Sequence, residues 1–243
     1  ICMEKLGKKE PCLVLMNHSS FIDLKIASTL LYPRPFNIIC EADGFVGKEW
    51  LMRQIGCIPT HKFVSETALV KDMMYTVRTL KSSILLYPEA SYSFDGTSPT
   101  PLPESLGKCI KLLKVPVVMI RTYGAFQRDP LYNLLKLRNV DVSADMEYLL
   151  SPEEIASLTS DDINSLSAAR FSFDHFQWQK ENGIEEKESF RTEGLSSVLY
   201  KCPKCGKEGV MESGGEEIWC SSGGKKWRME EDGSLKAMDG DDI

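Results

Sequence analysis

Three histidines occur in the 243 residues, at positions 18, 61 and 175. The first stands in Asn17-His18-Ser19-Ser20-Phe21-Ile22-Asp23, five residues before an aspartate. Across the first turn of a helix, that spacing can bring the two side chains together. Asp23 would then accept a hydrogen bond from one imidazole nitrogen, fix the tautomer and raise the basicity of the other nitrogen. A neutral His18 held in this way can take the proton of a substrate hydroxyl as it attacks an acyl carbonyl. The same pair can instead cap the helix and satisfy backbone donors, and spacing alone does not choose between the two. Three scattered histidines give little support to a multi-histidine metal site. With no Gly-x-Ser-x-Gly elbow in the sequence, Ser19 or Ser20 has little support as a covalent nucleophile.

The elements around this group alternate. Short apolar runs at Cys12 to Met16, Phe36 to Cys40, Gly56 to Thr60, Ser83 to Tyr87, Val115 to Arg121 and Val140 to Leu149 read as strands. Pro59 places the third near an edge or a strand end. Between them, helices are predicted over Phe21 to Leu31, Lys48 to Ile55, Ser65 to Lys81 and Glu104 to Leu113. The third of these repeats Leu69, Met73, Val77 and Leu80 on one face. Ser151-Pro152-Glu153-Glu154 reads as a capped helix start, with interrupted helix continuing towards Asn182. This order predicts an α/β fold with a largely parallel central sheet and flanking helices, function lying beyond the C-terminal strand ends. Asn17, His18 and Pro88-Glu89 fall at such ends.

Asn17-His18-x-x-x-x-Asp23 resembles the first signature of the glycerolipid acyltransferase superfamily, which includes lysophosphatidic acid acyltransferases. Three further ordered matches follow: Gly56-Cys57-Ile58-Pro59-Thr60-His61-Lys62, Tyr87-Pro88-Glu89-Ala90-Ser91-Tyr92-Ser93 and Val115-Pro116-Val117-Val118. The resemblance covers roughly residues 10 to 125. It implies transfer of an acyl group from acyl-CoA or acyl-ACP to a hydroxyl of a lysophospholipid or glycerol-phosphate-type acceptor. No catalytic cofactor and no acyl-enzyme are implied, with His18 as base and Asp23 as its partner. Glu89, Lys62, Gly56 and Ser91 are the implied acceptor-binding positions. In the third motif the family pattern is Pro-Glu-Gly-Thr-Arg-Ser, so Tyr92 replaces the arginine expected to meet phosphate. Lys62 stands where arginine is common and supplies charge without a planar fork. Phosphate recognition therefore falls to Lys62, with Arg53 or Lys48 as further cations, and an acceptor with another head group fits as well.

Cys202-Pro203-Lys204-Cys205-Gly206 and Trp219-Cys220-Ser221-Ser222-Gly223 resemble the two halves of a zinc ribbon that lacks its fourth cysteine. Structural zinc on Cys202, Cys205 and Cys220 with water or a distant ligand is one arrangement. A ribbon folding without metal, and a segment either poorly ordered or stabilised by crystal or oligomer contacts, are the others. The five remaining cysteines read as small buried apolar residues.

The chain carries a net charge of -6, with 42% hydrophobic and 26% charged residues. That composition describes a folded protein and offers no electrostatic case for nucleic acid. The segment Glu208 to Ile243 holds ten acidic and four basic residues, so the rest of the chain is formally neutral. No run of 18 apolar residues marks a span. The sequence begins at Ile1, and an anchor preceding it is compatible with the expected location, the cytoplasmic face of a membrane. Phe21 to Leu31 and Phe45 to Leu51 read as core or as the lining of an acyl tunnel, and Trp50, Leu51 and Met52 as a membrane contact. The expected division is an acyltransferase domain over 1–190, a linker over 191–199, a degenerate zinc-ribbon-like domain over 200–230 and an acidic tail over 231–243. A non-catalytic lipid-binding protein on this fold and an acyl-thioester hydrolase are the rival functions.

Overall fold

The structure is a computed structural model that describes residues 2–7, 9–61, 67–97, 102–134 and 136–240. The strands are β1 (Leu13–Met16), β2 (Phe36–Glu41), β3 (Cys57–Thr60), β4 (Ser83–Leu86), β5 (Val117–Tyr123) and β6 (Ser143–Leu150), in the sheet order β3-β2-β4-β1-β5-β6. The first five run parallel, as the alternating strand and helix patterns predict, and β6 pairs antiparallel with β5. Pro59 lies in β3, the edge strand, where its missing N–H costs no ladder bond.

The helices are α1 (Cys2–Lys5), α2 (Asp23–Leu31), α3 (Glu49–Gln54), α4 (Thr67–Arg78), α5 (Ser105–Leu113), α6 (Ala125–Arg128), α7 (Pro152–Ser157), α8 (Ser160–Phe171) and α9 (His175–Glu181). The side chains of β1 divide between two cores because successive strand residues point to opposite faces. Leu13 and Leu15 join Met73 and Val77 of α4, Ile110 of α5 and Ile163 of α8. Val14 and Met16 join Ala27 and Leu31 of α2 on the other face. Both faces of β1 are thus covered, which is why all four residues are apolar and buried. Ser151 and Thr159 each close a reciprocal capping box, with Glu154 and Asp162. Leu80, expected on the buried face of α4, lies beyond its end and is exposed.

A second, antiparallel sheet contains β7 (Met211–Gly214), β8 (Glu217–Cys220), β9 (Lys226–Met229) and β10 (Leu235–Ala237) in the order β10-β9-β8-β7. It packs on α6 through Phe126, Tyr132, Leu195, Ile218, Trp227 and Met229. The stretch 191–199, expected as a linker, is closely packed. Arg191 donates to the Met229 carbonyl at 2.7 Å, and Thr192 donates to the Glu217 carbonyl at 2.9 Å. Arg138, fully buried, pairs with Glu186 and donates to the Tyr132 hydroxyl and to the Arg191 carbonyl. The polarity of this part of the sequence therefore serves an internal clasp between the two sheets. Strand β10 falls inside the segment 231–243 expected as a tail, and pairs with β9 through Leu235 and Met229.

Candidate active site

The site begins where β1 ends. Asn17 turns back on β5: its Oδ1 accepts from the Thr122 amide at 3.1 Å. The chain is thereby held across the C-terminal end of the sheet, and His18 follows at once. Its Nδ1 lies 3.0 Å from Asp23 Oδ2 in the first turn of α2. The same oxygen accepts from the amides of Ser19 at 2.8 Å and Ser20 at 3.0 Å. One carboxylate oxygen thus satisfies backbone donors and orients the imidazole, but the amides it takes precede α2, and Ile22 at the helix N-cap makes no side-chain capping bond. Asp23 is wholly buried, whereas the His18 side chain keeps 17% of its surface exposed. A hydrogen bond from Nδ1 to Asp23 leaves Nε2 as the basic nitrogen.

Glu89, in the turn after β4, accepts from the backbone amide of His18 through Oε2 at 3.1 Å. The Ser93 amide donates to the His18 carbonyl at 2.7 Å. The chain segments after β1 and β4 are thus laced together around His18. Farther along, Thr97 bridges Asp174, and the His175 amide donates to the Gly96 carbonyl at 2.8 Å. Gly96 has φ 77°, and a Cβ there would come within 2.8 Å of Phe176 and 2.9 Å of Phe126. The loop after Glu89 can therefore lie this close to α6 and α9 only with glycine at that position.

Two aromatic rings enclose the imidazole. Tyr87 stacks on it with centroids 4.0 Å apart, and Tyr92 with centroids 3.6 Å apart. Phe21 lies against Tyr92 at 5.2 Å. Burial raises the Tyr87 and Tyr92 phenols above their usual pKa, and the negative charge of Asp23 adds to the shift in each. Both phenols therefore remain protonated at neutral pH. Asp129, beyond α6, lies 3.5 Å from the Ser20 hydroxyl. Its carboxyl is raised chiefly by desolvation, with Asp23 contributing in the same direction. The stacking was not read from the sequence, although Tyr87 and Tyr92 flank Glu89 within the same short motif. Asp129 has no sequence signal, because only the fold brings residues 20 and 129 together.

Of the other expected site residues, Ser91 is exposed and donates to the Glu89 carbonyl at 3.4 Å, so it lies on the same turn. Gly56 lies at the start of β3, the end of the parallel sheet opposite to His18, where its carbonyl accepts from Asn37 at 3.0 Å. It is not brought to the His18 group. His61 follows β3 and is exposed, and Lys62 lies outside the described residues. Lys48 and Arg53 are exposed on α3 and its N-terminal cap. Ser19 and Ser20 are fully buried, with hydroxyls directed at Thr122 and Asp129. A cleft of about 470 Å³ lined by Thr97, Phe173, Asp174 and Trp178 contains none of the His18 group.

Phe45 is buried, but Phe21, Leu24, Val46, Trp50 and Leu51 are exposed. The two segments expected as core or tunnel lining therefore present part of their apolar surface to solvent. Among the described residues, no helix is long and apolar enough to cross a membrane.

In the second sheet, the sulfurs of Cys202, Cys205 and Cys220 lie within 4.8 Å of one another, a grouping that can coordinate a metal ion.

A search of curated proteins gives no match. Among solved structures, the 1-acyl-sn-glycerophosphate (LPA) acyltransferase PlsC from Thermotoga maritima is similar. It has 16% sequence identity and a TM-score of 0.48, with 69% of this chain and 68% of that chain covered. The family model described as Acyltransferase spans residues 2–122, which include His18, Asp23, Glu89 and all of β1 to β4. That match supports a general acyl-transfer function. Over this N-terminal half, the chain matches the acyltransferase family.

Proposed function

We propose that this protein is a glycerolipid O-acyltransferase. It moves a fatty acyl group from acyl-CoA or acyl-ACP to a hydroxyl of a lysophospholipid or glycerol-phosphate-type acceptor. The observation that carries the reading is the 3.0 Å contact between His18 Nδ1 and the buried Asp23 Oδ2. His18 Nε2 takes the acceptor hydroxyl proton as the oxygen attacks the thioester carbonyl. The new C–O bond forms, the C–S bond breaks, and the proton passes from His18 to the departing thiolate. The thioester is already activated, so alignment and base catalysis supply most of what the step needs.

Glu89 and Ser91 lie on the turn beside His18 and are the acceptor contacts in this reading, joined by Lys62. Gly56 enters only by starting the strand that leads to His61 and Lys62. The reading assigns the acyltransferase unit to residues 1–190 and a cysteine-bearing appendage, stapled by structural zinc, to 200–230. It places the protein on the cytoplasmic face of a membrane, where Phe21, Leu24, Val46, Trp50 and Leu51 offer apolar surface near the strand ends that carry the site. Tyr92, stacked on His18 where the resembled motif has arginine, favours an acceptor whose head group is not a phosphate monoester as a second reading.

The test is an acceptor screen with lysophospholipids and glycerol 3-phosphate, using acyl-CoA and acyl-ACP as donors and mass spectrometry as the readout. An acylated acceptor that His18→Ala no longer forms, at unchanged folding, supports the reading. Free fatty acid as the sole product would instead identify a hydrolase. Full activity in His18→Ala would remove the proposed base.

A further inference from the structure

The two cysteine turns of the appendage are nearly superimposable in their hydrogen bonding. In the first, Cys202 N donates to Lys207 O at 2.9 Å, Gly206 N to Cys202 O at 2.9 Å and Cys205 N to Cys202 Sγ at 3.4 Å. In the second, Cys220 N donates to Lys225 O at 2.9 Å, Gly224 N to Cys220 O at 2.8 Å and Gly223 N to Cys220 Sγ at 3.3 Å. Gly206 and Gly224 close the turns with φ of 69° and 71°.

By this correspondence Gly223 occupies the place that Cys205 takes in the first turn. Its backbone is in the ordinary region, and a Cβ built on it would lie 3.8 Å from Cys220 Sγ, with no other heavy atom of the described residues within 4 Å beyond Gly223 and its two chain neighbours. Cys205 Sγ lies 3.8 Å from Cys220 Sγ, so the three sulfurs are gathered in front of Gly223. A four-coordinate zinc on three thiolates keeps its last position for an outside ligand, and here the missing side chain leaves that position open to solvent. Lys207, which donates to the Ser222 hydroxyl at 2.8 Å, brings a positive charge to the rim beside Gly223.

We propose that Cys202, Cys205 and Cys220 form an open three-thiolate zinc site whose fourth position, at Gly223, takes an exchangeable small thiol. Resting on the zinc assignment above, the proposal adds that the metal is accessible. A thiol suits the vertex because zinc among thiolates favours a further soft sulfur ligand, and the rim lysine offsets the negative charge that a fourth thiolate brings. Binding exchanges a water for the thiolate, and the thiol proton goes to solvent.

The test uses the full chain without a histidine tag, loaded with zinc or cobalt. Zinc is counted per chain, sulfur ligands by X-ray absorption, and 2-mercaptoethanol is titrated against the cobalt spectrum. The expected results are one zinc per chain, three sulfurs rising to four with the thiol, and a saturable spectral shift. Gly223→Cys is expected to show four sulfurs without added thiol and no shift on titration. Should Gly223→Cys fail to fold, Cys205→Ser serves: its sulfur count at saturating thiol is expected to fall from four to three. A wild-type protein that binds zinc but ignores the thiol overturns the open vertex and leaves the zinc assignment standing. A wild-type protein that binds no zinc overturns both.

Discussion

The phenol ring of Tyr92 lies on the imidazole of His18, centroids 3.6 Å apart and planes 28° from parallel. Tyr87 covers the other face at 4.0 Å and 21°. The imidazole is therefore confined to a slot whose walls fix its plane, while Asp23 fixes its rotation within that plane. Neither wall takes the proton at neutral pH, because both phenols are held above their usual range by burial. Their contribution is geometric.

If the slot sets the aim of Nε2, the ring of Tyr92 matters more than its hydroxyl. Tyr92→Phe is expected to keep most of the acyl-transfer activity. Tyr92→Ala should lose roughly threefold to tenfold in kcat, since an aromatic pair of this kind contributes about 0.5–1.5 kcal/mol. Steady-state kinetics on both variants check this. Equal losses in the two would shift the role to the hydroxyl.

Asp23 acts on His18 and on two backbone amides through one oxygen. Asp23→Asn keeps the shape but cannot hold the same tautomer or balance an imidazolium. Activity is expected to fall roughly a hundredfold to ten-thousandfold, the range for loss of general-base function. Adding His18→Ala should cost little more, because the two residues act as a unit. Additive losses in the double variant would argue for separate roles.

Ala90 has φ 56°, a left-handed conformation that a Cβ disfavours, and it stands where the resembled motif carries glycine. Ala90→Gly should therefore stabilise the fold by about 1 kcal/mol, net of the extra freedom glycine gives the unfolded chain. Urea denaturation of the two proteins measures the difference. The turn between Glu89 and Ser93 thus keeps its course around His18 without the usual glycine, at some cost in strain.

Much of this was legible in the sequence because it is local. The run Leu13–Met16 is apolar on both faces, which only a central strand covered on two sides requires. The spacing of His18 and Asp23 already allowed contact across one helical turn. What the sequence hid depends on distant parts meeting: Asp129 beside Ser20, and Arg138 gripping Glu186. The polar character of residues 191–199 suggested a linker, since periodicity cannot tell a solvated polar group from one paired inside. Gly56 matched a motif, yet the strand direction puts it at the far end of the sheet. Motif matching carries residue order, whereas placement relative to His18 follows from strand polarity.

Burial of His175 links the same fold to pH. The side chain is 1% exposed, stacked on Phe126 at 5.3 Å and edge-on to Phe173 at 4.8 Å. Neither ring nitrogen has a hydrogen-bond partner among the described residues. Desolvation is the main cause that lowers its pKa to about 4, with Arg121 acting in the same direction and Asp174 opposing. The unfolded chain, with an ordinary histidine, binds a proton more readily than the native state. Its contribution to stability is therefore full above the usual histidine pKa and declines as pH falls from about 6.5 towards 4. The total loss across that window is about 3 kcal/mol, using about 1.4 kcal/mol for each pKa unit. In His175→Phe the backbone bonds to Gly96 and Gln127 remain available, and an aromatic ring remains between Phe126 and Phe173. Urea denaturation at pH 7 and at pH 5 should show the wild type weakening by about 2 kcal/mol over this interval and the variant by much less. A variant that weakens as steeply as the wild type would assign the acid sensitivity to other groups. Since His175 holds the loop after Glu89 through the Gly96 carbonyl, acid should loosen the segment that supports Tyr92 along with the fold.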